Sequence, residues 1–158
     1  TTGGWFMVTA SNFARGLITK WNATGNQRNY RLSFHDTPYW RGFVSSNGTL
    51  ETSVSSSVSE VQTNAWVFAA LRYVPSTSLD IWVSNTAGAL VKTSNTTSIP
   101  ASIFSGSTAD FSIGDYNAGT AVFTGRSAQC FLSATALSDT LIEMIFYHQF
   151  RALFGKVS

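Results

Sequence analysis

The chain has 158 residues, of which 44% are hydrophobic, 14% aromatic and only 11% charged, and its formal net charge is +2. This length fits one domain with its own core, whereas the small net charge and the scattered Lys and Arg residues argue against a nucleic-acid partner. The single cysteine, Cys130, excludes an internal disulfide framework, and no apolar run approaches the roughly 18 residues of a membrane-spanning helix.

The first third of the chain predicts strands separated by polar turns. Strands are expected over 4–10, 16–21, 28–34 and 42–45, and Asn47-Gly48 predicts a hairpin turn after the last of them. Within 28–34 one face carries Tyr30, Leu32 and Phe34, and the other carries Asn29, Arg31 and Ser33. The serine-rich segment 50–61 predicts a weak strand near a sheet edge.

The stretch 66–84 predicts two strands joined by a turn, and it indicates the fold class. Residues 66–73 are almost entirely apolar, as expected of a strand covered on both faces. The second strand alternates, with Leu79, Ile81 and Val83 on one face and Asp80, Trp82 and Ser84 on the other. We expect Trp82 to be buried under a loop and Arg72, among apolar neighbours, to be paired or to reach the rim.

Further strands are expected over 88–93, 111–115 and 122–132, and the only helix pattern comes last, at about 139–154. The sequence Thr140-Leu-Ile-Glu143 matches a capping box, Ser138 and Asp139 are alternative caps, and Gly155 is a natural stop. The predicted fold is therefore all-β: a two-sheet antiparallel β-sandwich of the jelly-roll type over 1–158, as a single domain with one C-terminal α-helix.

The apolar residues of this helix are spread too widely around the helical wheel to form one stripe. We expect the first turns to contact the sandwich through Leu141, Met144 and Ile145. The others would form an exposed apolar patch, so we expect them to dock on another chain or domain of a larger assembly. These are Phe146, Phe150, Leu153 and Phe154.

Seven short motifs follow one another in a recognisable order along nearly the whole chain. They are Gly16-Leu-Ile-Thr-Lys-Trp21, Tyr30-x-Leu32, Asn64-x-Trp66-x-Phe68-x-Ala70 with Tyr73, Leu79-Asp-Ile-Trp-Val-Ser-Asn85, Ile113-Gly114, Phe123-x-Gly125 and Leu137-Ser138. In this order they resemble the laminin-G-like (LamG) branch of the concanavalin A-like lectin/glucanase superfamily. The family's opening strand has no counterpart here and the terminal helix is longer, which suggests that the chain is part of something larger.

The resemblance also bears on catalysis. Glucanase relatives use an acidic cluster, Glu-x-Asp-x-x-Glu, that places two carboxylates close together for glycoside hydrolysis. This sequence has no such spacing, and Asp110 and Asp115 would point to opposite faces of a regular strand. Nothing in the sequence supports a Ser-His-Asp triad. We therefore predict that the chain is not an enzyme and has no catalytic residues.

Two loops, 35–41 and 115–117, carry the residue types that bind sugars, namely flat aromatic rings and planar polar groups. An alternative interpretation is that Tyr39 and Trp40 fold back to cover the rim of the sandwich. The candidate ligand-binding residues are His35, Asp36, Tyr39, Trp40, Arg41, Asp115, Tyr116 and Asn117.

No cofactor is predicted from the residues themselves. Calcium is common in the superfamily, and Asp36, Asp115 and Asn117 are the only reasonable oxygen donors for a Ca²⁺ ion. No Cys/His zinc cluster can form with one cysteine and two histidines.

Two functions from different classes fit this sequence. The first is a non-catalytic recognition module that binds a glycan or a protein on a host surface, outside the cell or on a virion, for example in a phage appendage. The alternative is a structural protein that decorates such an assembly and binds no sugar. Neither function needs nucleic acid or a membrane as a partner.

Overall fold

The structure is a computed structural model that describes residues 1–9, 15–35, 39–57, 63–115 and 122–155. The described residues form ten strands and one helix. The strands are Thr2–Val8 (β1), Arg15–Asn22 (β2), Gln27–Phe34 (β3), Trp40–Val44 (β4), Thr52–Ser55 (β5), Trp66–Val74 (β6), Ser78–Ser84 (β7), Leu90–Asn95 (β8), Phe111–Ile113 (β9) and Gly125–Leu132 (β10), and the helix is Asp139–Phe154 (α1).

The strands form two five-stranded antiparallel sheets, as predicted. Sheet A has the order β10-β1-β6-β7-β8, and sheet B has the order β5-β4-β3-β2-β9. Strand β5 is an edge strand, which confirms the expectation for the serine-rich segment, although it is shorter than predicted and residues 58–62 lie outside the described residues. None of the described helices is long and apolar enough to cross a membrane.

The main core lies between the inner faces of the two sheets. Leu79, Ile81 and Val83 of β7 are fully buried there and belong to one cluster with Leu32 and Phe34 of β3. The alternation predicted for both strands is therefore confirmed, because period-2 spacing sends these residues to one face.

The outer face of sheet A is covered by helix α1. Trp5 and Phe68 project from β1 and β6 toward Phe146, whose ring stacks on Trp5 with 5.5 Å between centroids and 19° between planes. Phe68 meets the same ring edge-on at 5.4 Å. Strand β6 is thus covered on both faces, as predicted, while Trp82 is buried in the cluster with Ile142 under the helix and not under a loop.

The bounds of α1 agree with the prediction, but the cap does not lie in the capping box. The side chain of Ser138 accepts a hydrogen bond from the Leu141 N–H at 3.2 Å, so Ser138 is the N-cap and not Thr140. At the other end Gly155 has φ 80°, and its N–H donates to the Arg151 carbonyl. Glycine takes this left-handed conformation without steric cost, which explains where the helix ends.

The face of α1 that contacts the sandwich differs from the predicted one. Leu141 and Met144 are 40% and 58% exposed, whereas Ile142 and Phe146 are buried and Ile145 packs against them. Phe150 and Leu153 also pack within the chain, so the prediction that they and Phe146 dock elsewhere is wrong. Phe154 is 44% exposed, but its ring also contacts Trp5, with 5.3 Å between centroids. This face of the helix docks because it packs on the rings of Trp5, Phe68 and Trp82. The helix sequence alone does not show where those rings lie.

Arg72 is paired, as expected, and its partners connect sheet A to the start of α1. Its guanidinium lies 2.8 Å from Asp80 and 2.6 Å from Asp139, and it covers the Trp82 ring at 4.8 Å. Asp80 is almost fully buried and also accepts a hydrogen bond from Ser78 Oγ at 2.8 Å. Because an unpaired buried carboxylate would be strongly destabilising, Arg72 has a structural role.

Replacing Asp139 by Asn tests the ion pairs at the start of α1. The hydrogen bond from Lys92, together with Arg72, holds the pKa of the Asp139 carboxyl below its usual value. Its stabilising contribution is therefore fully present above the unfolded pKa of about 3.9, and it is lost as pH falls through the lower folded pKa. Asp139 is half exposed, so we expect Asp139→Asn to lower the free energy of unfolding by at most about 1 kcal/mol at pH 7.

Urea unfolding at pH 7 and at pH 2.5 would measure this effect, and the difference between Asp139→Asn and the wild type should shrink at the lower pH. Glu143→Gln is the control, since Glu143 is exposed on the same helix and forms no salt bridge within the described residues. An equal loss in both variants, or a loss that does not change with pH, would contradict the role of the ion pairs.

Candidate binding site

The two predicted loops lie at the same end of sheet B. Strand β2 pairs antiparallel with β3 and with β9, so that Arg15 faces Phe34 and Ile18 faces Ile113. The end of β9 and the connection from β3 to β4 therefore share one rim of the sandwich. With about 4.8 Å between neighbouring strands, β9 lies roughly 10 Å from β3.

The structure describes five of the eight predicted site residues. His35 is half-buried, and its N–H donates to the Tyr39 carbonyl at 3.0 Å. Tyr39 is 38% exposed at the rim, whereas Arg41 and Asp115 are half-buried. Asp36, Tyr116 and Asn117 lie outside the described residues, so their part of the prediction stays a prediction.

Trp40 was among the predicted ligand-binding residues, and for this residue the prediction is wrong. It is 0% exposed and packs in the main core, with its ring 5.6 Å from Phe34 and 6.2 Å from Phe6. Strand β4 begins at Trp40 and not at Gly42, so Trp40 is in the sheet and shares the inward face with Val44. The indole ring therefore stabilises the core and offers no surface to a ligand, in agreement with the alternative interpretation for this residue.

The outer face of sheet B carries a cluster that the predicted site did not include. The guanidinium of Arg31 lies 4.0 Å from the centre of the Phe43 ring and 4.9 Å from that of Trp21, and the Arg41 guanidinium lies 4.7 Å from the Phe43 ring. We call these four residues the cation–aromatic cluster. The alternation of Asn29, Arg31 and Ser33 with apolar residues on β3 was the sequence signal that indicated a polar outer face here.

Arg41 in this cluster differs from Arg72 in sheet A, whose charge is neutralised by two carboxylates. Its only hydrogen bond to a described side chain is a weak one, from Nη2 to Ser53 Oγ at 3.4 Å. No described carboxylate forms a salt bridge with Arg41. The neighbouring strand places exposed Ser55 directly across from it. A half-exposed positive charge with hydroxyl neighbours is suited to an anionic ligand rich in hydroxyl groups.

Asp115 borders this outer face because the chain leaving β9 runs closely over β2. The Thr19 hydroxyl donates to the Asp115 carbonyl at 2.7 Å, and a Cβ on Gly16 would lie 2.6 Å from the same oxygen. Only glycine allows this approach. Since Thr19 pairs with Arg31 across the sheet, the predicted rim and the cation–aromatic cluster are continuous.

The other described residues that could bind a metal or react with a substrate form no second cluster. No group of three His, Cys, Asp or Glu side chains that could hold a metal occurs among them, and of the predicted Ca²⁺ donors only Asp115 is described. Asp110 and Asp115 lie beyond opposite ends of β9. Cys130 packs against the core, and burial raises the pKa of its thiol, which disfavours the reactive thiolate.

Known proteins similar to this chain were found by structure alone. No family model matches the sequence, and no curated protein matches it. A solved structure of the Ruminococcus gnavus IT-sialidase CBM40 superposes with a TM-score of 0.67 at 16% identity, covering 92% of this chain and 80% of that chain. The Ruminococcus gnavus IT-sialidase CBM40 bound to α2,3-sialyllactose gives a TM-score of 0.65, with the same identity and coverage.

At this level of identity the similarity shows the fold and no more. It supports the predicted jelly-roll β-sandwich, whereas membership of the concanavalin A-like superfamily stays a prediction. The laminin-G-like branch in particular is not shown.

Replacing Trp40 by Ala tests whether this residue belongs to the core. Because its side chain is fully buried between two aromatic rings, we expect Trp40→Ala to lower the free energy of unfolding by about 3–5 kcal/mol in a urea titration. Tyr39→Ala removes a neighbouring aromatic side chain that is exposed, so it should change stability much less. Wild-type stability in the Trp40→Ala variant would return Trp40 to the list of ligand-binding candidates.

Proposed function

We propose that this chain is a non-catalytic recognition module that binds carbohydrate on the outer face of sheet B. The observation that carries the proposal is the Arg41 guanidinium, which lies on the Phe43 ring without a described carboxylate partner. The hydroxyls of Ser53 and Ser55 flank it, and Tyr39 stands at the adjoining rim.

The chemistry of this face suggests a sugar that carries a carboxylate. A guanidinium can hold a carboxylate with two parallel hydrogen bonds, and Phe43 supports it from beneath. Serine hydroxyls both donate and accept, as sugar hydroxyls require, and the exposed Tyr39 ring can pack against a sugar face. One structural neighbour is a carbohydrate-binding module bound to sialyllactose, whose sialic acid carries such a carboxylate, and this supports the choice of ligand class.

The proposed absence of catalysis follows from the positions of the acidic residues. Hydrolysis of a glycosidic bond needs two carboxyl groups facing each other across it. Of the described acids, Asp80 is buried in the ion pair with Arg72, Asp139 pairs with Lys92, and Glu51 pairs with Arg28. The described residues therefore place no pair of free carboxylates beside Arg41.

Titration with 3′-sialyllactose and with lactose, followed by NMR, tests this function. The wild type should bind the acidic trisaccharide and prefer it to lactose. Arg41→Gln keeps a polar side chain and removes the charge, so it should weaken binding of 3′-sialyllactose by about 10- to 100-fold, the range for a lost hydrogen bond to a charged group. The midpoint of thermal unfolding of the variant should stay close to that of the wild type.

Arg126→Gln is the matched control, because Arg126 is an exposed arginine on β10 in the other sheet. It should bind 3′-sialyllactose as the wild type does. If neither sugar binds the wild type, or if Arg41→Gln and Arg126→Gln have the same effect, the outer face of sheet B is not the carbohydrate site.

A second function is favoured by a different observation. The solvent side of α1 exposes large apolar side chains, namely Leu141, Met144 and Tyr147. Exposed apolar patches often mark contact sites with other proteins. We therefore keep as the alternative a structural or decoration protein of a virion, such as a phage appendage, or of an extracellular assembly, held there by α1.

Analytical ultracentrifugation tests this alternative. It would compare the self-association of the wild type with that of the double variant Met144→Glu, Tyr147→Glu. Both side chains are more than half exposed, so the variant should fold normally. Loss of association with unchanged sugar binding would support assembly through α1, and unchanged association would contradict it.

A further inference from the structure

A cavity of about 490 Å³ opens between the two sheets at the end opposite to the rim. Tyr30 and Val44 line it from sheet B, at the ends of β3 and β4 that lie away from the loop joining these strands. Leu71 and Tyr73 line it from β6 in sheet A, and Leu132 from the end of β10. The cavity is therefore separate from the cation–aromatic cluster and from the predicted rim.

Most polar groups in the cavity wall already have partners within the chain. The Tyr73 hydroxyl donates to the Pro100 carbonyl at 2.6 Å, and the Ser133 hydroxyl donates to the Thr135 carbonyl at 3.2 Å. The amino group of Thr1 donates to two carbonyls in the same segment. These groups have little free hydrogen-bonding capacity for a ligand.

The Tyr30 hydroxyl is the exception. It lines the cavity, and no described residue forms a hydrogen bond with it. Burial raises the pKa of Tyr30, so the hydroxyl keeps its proton at neutral pH and can donate it in a hydrogen bond. The wall thus offers a ligand one hydroxyl without a described partner, beside apolar side chains such as Val44 and Leu71.

The mouth of the cavity is apolar and open. Leu132 is 57% exposed there, and Ala134 and Ala136 are exposed beside it. No charged side chain lines the cavity, and the Thr1 amino group in its wall already donates to the Ser133 and Thr135 carbonyls. An ionised ligand would lose its hydration without gaining a charged partner that is still free to bind it, so the chemistry of the wall favours an uncharged ligand.

We propose that this cavity binds a small uncharged aliphatic alcohol or a similar molecule, with its hydrocarbon part against Val44, Leu71 and Leu132 and its oxygen accepting a hydrogen bond from Tyr30 Oη. The volume lies within the range of about 300–1,000 Å³ that small-molecule sites occupy. The proposal is independent of the carbohydrate site, because the two lie at opposite ends of the sandwich.

Titration of the chain with n-hexanol, n-octanol and n-decanol, followed by amide chemical shifts, tests the proposal. The shifts should map to the ends of β3 and β6 that line the cavity. Affinity should rise by about fourfold for each added methylene until the cavity is full. Tyr30→Phe keeps the ring and removes the hydroxyl, so it should weaken n-octanol binding by about 2- to 10-fold while the dependence on chain length persists.

Blocking the mouth provides a second variant with a matched control. Ala136→Trp should abolish n-octanol binding by filling the entrance, whereas Ala152→Trp, on the exposed side of α1, should leave it unchanged. Both positions are exposed, so thermal unfolding should show that both variants fold. If Ala136→Trp does not fold, Tyr30→Phe decides the question.

The proposal is overturned if the wild type shows no saturable alcohol binding, if the shifts map elsewhere, or if neither Tyr30→Phe nor a folded Ala136→Trp changes the affinity. Binding of 3′-sialyllactose should be the same in all these variants. A failure at the cavity is therefore distinguishable from a failure of the proposed carbohydrate function.

Discussion

Strand β6 is buried on both faces, and this burial governs the arrangement of the other elements. On its inner side sheet A packs against sheet B, and on its outer side Trp5, Phe68 and Trp82 require a cover. Helix α1 provides that cover, chiefly by stacking Phe146 on Trp5. Each large apolar side chain buried in this way is worth roughly 1.5–3 kcal/mol, so the helix is part of the fold and not an appendage. Because α1 occupies the outer face of sheet A, a ligand that binds a sheet face is directed to sheet B.

The few charges of the chain are used in two different ways. In sheet A, Arg72 neutralises the buried Asp80 and forms an ion pair with Asp139 at the start of α1. Its charge is therefore compensated within the fold. In sheet B, the Arg41 guanidinium lies on the Phe43 ring, and no described carboxylate forms a salt bridge with it. A cation over a ring is only partly compensated and can still bind an anion. This difference is the physical reason for proposing a ligand site on sheet B.

The two ends of the sandwich also differ in chemistry. The end where β3 leads into β4 carries Tyr39 and Arg41 and is polar and aromatic. The other end opens into a cavity where the Tyr30 hydroxyl has no partner among the described residues, and where Val44, Leu71, Ile103 and Leu132 supply apolar wall. Because the core between them is filled by closely packed rings such as those of Phe34 and Trp40, a ligand at one end does not reach the other.

The sequence by itself determined the elements whose signals are local. Period-2 alternation identified the buried face of β7, continuous apolarity identified β6 as a strand covered on both sides, and Gly155 marked the end of α1. It also indicated that Arg72, a charge among apolar neighbours, would be paired or reach the rim, and the structure shows it paired.

Only the tertiary structure decided which surfaces these elements present. Trp40 reads as a loop residue in the sequence, but the pairing of β4 with β3 brings it into the core. The face of α1 that docks depends on rings from three strands that are distant in the chain. Likewise, Arg31 meets Phe43 because the register of β3 and β4 places them opposite each other. Such register is set by the packing of whole sheets, so no short stretch of sequence specifies it.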